Sequence, residues 1–157
     1  MSKFELVAMG GTFDIIHKGH ITLLAGAFDV ASKVIIGLTS DEMALKKGKK
    51  TINNYDKRLE NLTKAIEENF SDASFEISRL DNDFGPAVLE ESVQALVVSE
   101  ETSEQGEILN NLRRHKNLPI VQVIVVPMVL AKDGQRISTT RIKNREIDNE
   151  GNLSSID

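Results

Sequence analysis

The chain of 157 residues contains no cysteine, which excludes disulfides, thiolate nucleophiles and cysteine-ligated zinc and agrees with a reducing compartment. Aromatic residues are few. The six Phe and one Tyr fall mostly at core-like positions, so no basic-aromatic surface for stacking nucleic-acid bases is formed. No run of about 18 apolar residues occurs, and Met1-Ser2-Lys3 leads into a short strand pattern without the apolar segment of a signal peptide. A soluble, cytoplasmic protein with no membrane partner is expected. The formal charge of −5 argues against wholesale binding to nucleic acid and requires any anion site to be built locally. Three basic clusters are available for that: Lys46, Lys47, Lys49 and Lys50; Arg113 and Arg114; and Arg136, Arg141 and Lys143. Both common nucleotide fingerprints are missing as well. Gly10-Gly11 lacks the G-x-G-x-x-G spacing, and Gly48-Lys49-Lys50-Thr51 lacks the upstream glycine of a P-loop.

Short β-branched runs alternate with longer segments of helical period. The strand candidates are Phe4 to Ala8, Val34 to Leu38, Phe75 to Ser78, Ala95 to Val98 and Ile120 to Val126, apolar enough to be buried on both faces. Between them, Ile21, Leu24, Ala25 and Phe28 repeat at helical spacing, as do Leu59, Leu62, Ile66 and Phe70. A third stripe, Ile108, Leu109 and Leu112, follows a Thr102 to Gln105 capping box. Repeated β-α units of this length give an α/β fold, a five-stranded parallel sheet flanked by helices. No repeat or linker is present. Residues 1–145 read as one domain and 146–157 as a polar tail that frays. A chain of this size buries roughly two thirds of its unfolded surface, enough for a core without metal support.

In a parallel sheet the segments that follow the strands emerge at one carboxyl edge, where open α/β sheets bind ligands. Here those segments hold the unusual chemistry: Gly10 to Asp14, Thr39 to Lys50, Asp81 to Pro86, Ser99 to Gly106 and Pro127 to Ser138.

The first is the richest. Gly10-Gly11-Thr12-Phe13-Asp14 leads to His17-Lys18-Gly19-His20, a glycine turn between a strand and a helix, where backbone N–H groups and the helix dipole face an anion. The two histidines share one face of the first turn. They serve as phosphoryl ligands, cap or pack the helix, or offer two zinc ligands. Zinc needs a third ligand, and the only other histidine, His115, sits near the end of a different helix; no metal ligand set is therefore assigned. Gly19 between the pair reads as room for a bulky ligand. As phosphoryl ligands the imidazoles donate hydrogen bonds during transfer, and an ionised phosphate nucleophile needs no general base.

G-G-T-F-D-x-x-H-x-G-H resembles the signature of the Rossmann-like nucleotidyltransferases, and Ile137-Ser138-Thr139-Thr140-Arg141-Ile142 resembles their second signature. Val97-Val98-Ser99-Glu100-Glu101-Thr102, followed by Gly106, Asn110 and Arg113, is similar to a stretch of phosphopantetheine adenylyltransferases of the archaeal and eukaryotic type. Phe84-Gly85-Pro86 resembles an aromatic-Gly-Pro turn of the same group. Asn82-Asp83 stands where many relatives have Asp-Pro, and Lys143 where an arginine is frequent. The resemblance implies a single-domain Rossmann-like fold. It implies adenylyl transfer from ATP, with Mg2+, to 4′-phosphopantetheine, giving dephospho-coenzyme A and pyrophosphate in coenzyme A biosynthesis. The alternatives are FMN or NMN adenylyltransfer, cytidylyltransfer of the glycerol-3-phosphate type, or a nucleotide-binding module without turnover.

The resemblance further implies roles. His17, His20 and Lys47 would be catalytic, with Lys46 the alternative lysine. Gly10, Gly11, Ser99, Glu101, Thr102, Arg113, Ser138, Thr139, Thr140 and Arg141 would bind ATP, and Thr12, Phe84 and Gly85 the acceptor. Lys49 and Lys50 read as a solvated loop, Arg58 as substrate support or a surface ion pair, and Asp14 and Glu100 as turn or capping residues.

Overall fold

A computed structural model describes residues 3–82, 85, 90–127 and 142. Five strands, β1 (Phe4–Gly11), β2 (Ala31–Thr39), β3 (Phe75–Leu80), β4 (Ala95–Ser99) and β5 (Gln122–Val126), form one sheet of order β3-β2-β1-β4-β5. All four pairings are parallel. The helices are α1 (Lys18–Val30), α2 (Asp41–Lys46), α3 (Tyr55–Asn69) and α4 (Glu104–His115), with a 3₁₀ turn at Glu100–Thr102. The strands fall where the sequence pattern puts them, one to three residues longer at their ends in β1 to β4, whereas β5 starts at Gln122, two residues later than expected.

The central strands are apolar on both faces because both are covered. Val7, Met9, Val34, Ile36, Leu38 and Val97 pack with Leu24 and Ala27 of α1 and Leu62 and Ile66 of α3. Ala8, Ile35, Leu96 and Val98 pack on the other face with Leu109 of α4. The α3 stripe faces the core as expected, with Leu62 and Ile66 buried and Leu59 and Phe70 partly so, but Ile108 and Leu112 are exposed. The face that α4 buries is Gly106, Leu109 and Arg113. Gly106 sits so close to β5 that a Cβ there would lie 2.3 Å from Val123. In α1, Ala25 is exposed and Ala27 takes the core position.

The caps differ from the expected Thr102 to Gln105 box. Ser99 and Thr102 form the reciprocal pair across the 3₁₀ turn, and Ser103, whose hydroxyl donates to the Glu100 carbonyl, makes no side-chain cap for α4. Elsewhere Ser40 caps α2 and Asn54 caps α3, each contact worth about 1 kcal/mol.

Leu80, at the end of β3, fills space left by three glycines: a Cβ on Gly10, Gly37 or Gly85 would lie 3.3, 2.7 or 2.6 Å from its side chain.

Candidate active site

The sheet opens where the strand order reverses. The pairing of β1 with β4 ends at Ala8 and Leu96. By contrast, β1 stays paired with β2 to Gly11 and β4 with β5 to Ser99. The carboxyl ends of β1 and β4 therefore part and leave a cleft at the topological switch point, the place where open α/β sheets hold nucleotides. Gly10 is exposed there. Gly10 and Gly11 prove to be the last residues of β1 rather than a turn. The backbone reverses at Phe13, whose φ is 51°, and Gly11 is small because a Cβ would lie 2.9 Å from the Phe13 ring.

His17 and His20 form a capping box made entirely of imidazoles. His17 Nδ1 accepts the Gly19 N–H at 3.0 Å, and His20 Nδ1 accepts the His17 N–H at 3.2 Å. The rings stack, with centroids 3.8 Å apart, and the Phe13 ring lies 4.9 Å from that of His20. Capping and ligand binding are thus not alternatives. Acceptance at Nδ1 places the neutral ring's proton on Nε2, so a ring in this cap has one donor nitrogen. Burial of the ring, then the neighbouring His17 and Lys49 charges, push the His20 pKa down to about 3, against a bond to the Ile15 carbonyl that raises it. His20 is therefore neutral at pH 7. Gly19 makes room for the His17 ring itself, since a Cβ would sit 2.8 Å from its Cε1; the expectation of room for a ligand is corrected.

Lys49 is the residue that sequence reasoning passed over. Gly48, with φ 75°, closes α2 in a Schellman motif: its N–H donates to the Leu45 carbonyl and that of Lys49 to the Ala44 carbonyl. The reversed chain carries Lys49 back to β1, where Nζ donates to Thr12 Oγ1 at 3.1 Å. Although the residue is exposed overall, loss of solvation around the amine and then the charge of Lys47 lower its pKa. The signal was present: a glycine one residue past the helix turns the next side chain back. Lys47 is the C-cap of α2, near enough to act on Lys49.

Two clamps hold this lysine segment. Asp14 accepts the Ile52 and Asn53 N–H groups at 2.8 and 2.9 Å, while Asn53 Nδ2 donates to the Asp14 carbonyl. Arg58 is fully buried and donates to the carbonyls of Asn53, Thr12 and Thr39 and to the Asp41 carboxylate. Of the two expectations for it, substrate support or a surface ion pair, the second is corrected in one respect: the pair with Asp41 is made by a buried guanidinium.

Ser99 and Thr102 lie across the cleft at the end of β4, their hydroxyls 3.1 Å apart. Gly85 is buried against Leu80, and its N–H donates to Asn82. Arg113 is not brought to this edge. Helix α4 runs antiparallel to the strands, so its last turn lies at the amino edge, where Arg113 donates to the carbonyls of Glu90 and Pro119, ahead of β4 and β5. Phe84, Ser138, Thr139, Thr140 and Arg141, and the side chain of Glu101, lie outside the described residues, as does the 146–157 tail. A groove of about 750 Å³ between α1 and α3 meets this corner at Asp14, His17 and Asn53. Most of its lining lies along the helices, away from the cleft.

Among the described residues no three His, Asp or Glu side chains converge on a metal position, and Asp14 is committed to backbone N–H groups. The described residues of this corner therefore offer no ligand set of their own for Mg2+. No helix among the described residues is long and apolar enough to cross a membrane.

A 3-2-1-4-5 parallel sheet with a histidine and lysine corner at its switch point is the frame of a Rossmann-like nucleotidyltransferase. The cytidylyltransferase-like family matches residues 8–145. A phosphopantetheine adenylyltransferase of Methanothermobacter thermautotrophicus is 42% identical over 96% of this chain and 90% of its own. One of Pyrococcus horikoshii is 39% identical over 97% and 96%. Among solved structures, a protein of unknown function from Archaeoglobus fulgidus superposes with a TM-score of 0.68 at 30% identity, covering 76% of this chain and 87% of its own. The chain belongs to the cytidylyltransferase-like family, on the branch of the archaeal phosphopantetheine adenylyltransferases.

Proposed function

We propose that the protein transfers the adenylyl group of ATP to 4′-phosphopantetheine, forming dephospho-coenzyme A and releasing pyrophosphate. The observation that carries transfer chemistry is the locked His17–His20 pair, a neutral donor with its proton consigned to Nε2, beside Lys49 at the mouth of the β1–β4 cleft. The choice of substrates rests on the relatives, matched along almost their whole length.

An acceptor phosphate oxygen attacks the α-phosphorus in line as the bond to the bridging oxygen breaks and pyrophosphate leaves. The nucleophile arrives ionised, so no side chain removes a proton. What the site supplies is donors aimed at the charge that spreads over the phosphoryl oxygens. His17 and His20 serve the α- and β-phosphates. Thr12, with Lys49 and Lys47, receives the acceptor phosphate. Ser99, Glu101 and Thr102 border the adenosine, Phe84 and Gly85 the acceptor arm, and Ser138, Thr139, Thr140 and Arg141 the triphosphate tail. Arg113 has no part in this reading, since its guanidinium serves the opposite edge.

The test is pyrophosphate release with Mg2+, offering ATP or CTP against 4′-phosphopantetheine, FMN, NMN and glycerol 3-phosphate. Release with ATP and 4′-phosphopantetheine alone is expected. Release with another pair overturns the substrates, and none with any pair overturns the reaction.

A further inference from the structure

Arg58 is the most completely enclosed cation next to the cleft, and its contacts join three segments: the loop after β1, the β2–α2 junction and the end of the lysine segment. Nη1 donates to the Thr12 carbonyl at 2.9 Å and to the Thr39 carbonyl at 2.7 Å. Nε donates to the Asn53 carbonyl at 3.1 Å, and Nη2 pairs with Asp41 Oδ1 at 2.8 Å. Thr12 belongs to the loop after β1 and Thr39 ends β2. Asp41 opens α2 and also accepts the Tyr55 N–H, whereas Asn53 closes the segment that carries Lys47, Lys49 and Lys50. Both ends of the lysine segment, and the Thr12 that Lys49 reaches, are therefore referred to one planar group. Only a guanidinium has donors enough, in a fixed plane, to do this.

We propose that Arg58 is a positioning residue for the transfer step: from outside the substrate site it fixes the lysine segment against the loop after β1, so that the Lys49 ammonium meets the acceptor phosphate in register. The proposal rests on the transfer chemistry above. Misplacing a catalytic group by an ångström from a remote site costs up to about a hundredfold in rate. Loss of the fork should thus appear in kcat rather than in ATP binding.

Arg58→Lys keeps the charge and loses the fork. We expect kcat to fall about tenfold to a hundredfold while KM for ATP moves less than about twofold. In a Lys49→Ala background the same change should cost less than about threefold, because both substitutions disable one device. Additive losses, or an unchanged kcat, overturn the proposal. A readout without substrate keeps it separate from the assignment of function: trypsin should cut the 46–50 segment faster in Arg58→Lys and, to a smaller degree, in Asp41→Asn, which removes only the exposed anchor. Cleavage at the wild-type rate in both variants overturns the clamp even if the wild-type protein turns over no substrate. Should Arg58→Lys fail to fold, Asp41→Asn decides by the same two readings.

Discussion

The imidazoles of His17 and His20 lie face to face, 3.8 Å between centroids and 21° between planes, and each accepts a backbone N–H through Nδ1. A proton added to His20 Nδ1 would break the cap that this nitrogen makes with the His17 N–H. The same bonds that start α1 therefore also fix the tautomer of the corner.

That arrangement makes stability depend on pH in a definite direction. In the unfolded chain His20 binds its proton near 6.5, and in the folded chain only near 3. Between those values the unfolded state holds the extra proton, so stability falls as pH drops from about 6.5 toward 3. Asp41, held below the usual carboxylate range chiefly by its bond to Arg58, adds its own loss within the acid part of that window and below it, as pH falls through about 3.8. Melting temperatures at pH 7 and pH 5 check this. The wild type should lose more than His20→Gln does, and equal slopes would remove His20 as the cause.

His20→Ala should lower turnover by about a hundredfold, the scale of one lost transition-state donor, and stability by about 1 kcal/mol for the lost half of the cap. Pyrophosphate release and denaturant melts separate the two. A large drop in stability with turnover per folded molecule unchanged would leave the histidine a purely structural cap.

Lys49→Gln should cost about tenfold to a hundredfold in turnover if its ammonium meets a phosphoryl oxygen, whereas Lys50→Gln should sit close to wild type. Because the Lys49 pKa is lowered, activity should decline on the alkaline side before pH 10.5, and Lys49→Arg should move that decline upward. An alkaline limb that stays in place in Lys49→Arg would assign it to another group.

Gly106→Ala should destabilise the fold by about 1–3 kcal/mol, since the new methyl would lie 2.3 Å from Val123 and must displace it. Val123→Ala in the same chain should recover part of the loss. A double variant no more stable than Gly106→Ala alone would place the strain elsewhere.

Much of this was legible in the residues. The β-branched runs announced the strands because both faces of a central parallel strand are buried, and the post-strand segments converged because parallel strands share a carboxyl edge. Tertiary commitments of single side chains were not legible. Arg58 and Arg113 look alike in a sequence, as basic residues on helices; only the course of α3 and α4 separates a clamp at the cleft from one at the opposite edge. Ile108 and Leu112 fitted a helical stripe, but Gly106 lets α4 approach β5 so closely that the buried face is rotated away from them. Lys49 looked solvated because its return to Thr12 depends on the Schellman turn at Gly48.

The packing around Leu80 bears on how such a chain can drift through evolution. Three glycines border it, and a different constraint holds each. Gly85 is kept by its φ of 62°, which other residues rarely adopt. Gly10 is kept by the Gly37 carbonyl, 3.2 Å from where its Cβ would stand. At Gly37 the three atoms nearest to where a Cβ would stand all belong to the leucine side chain. A lineage that shortens residue 80 frees one of the three, so covariation should link positions 37 and 80 and leave 10 and 85 unchanged.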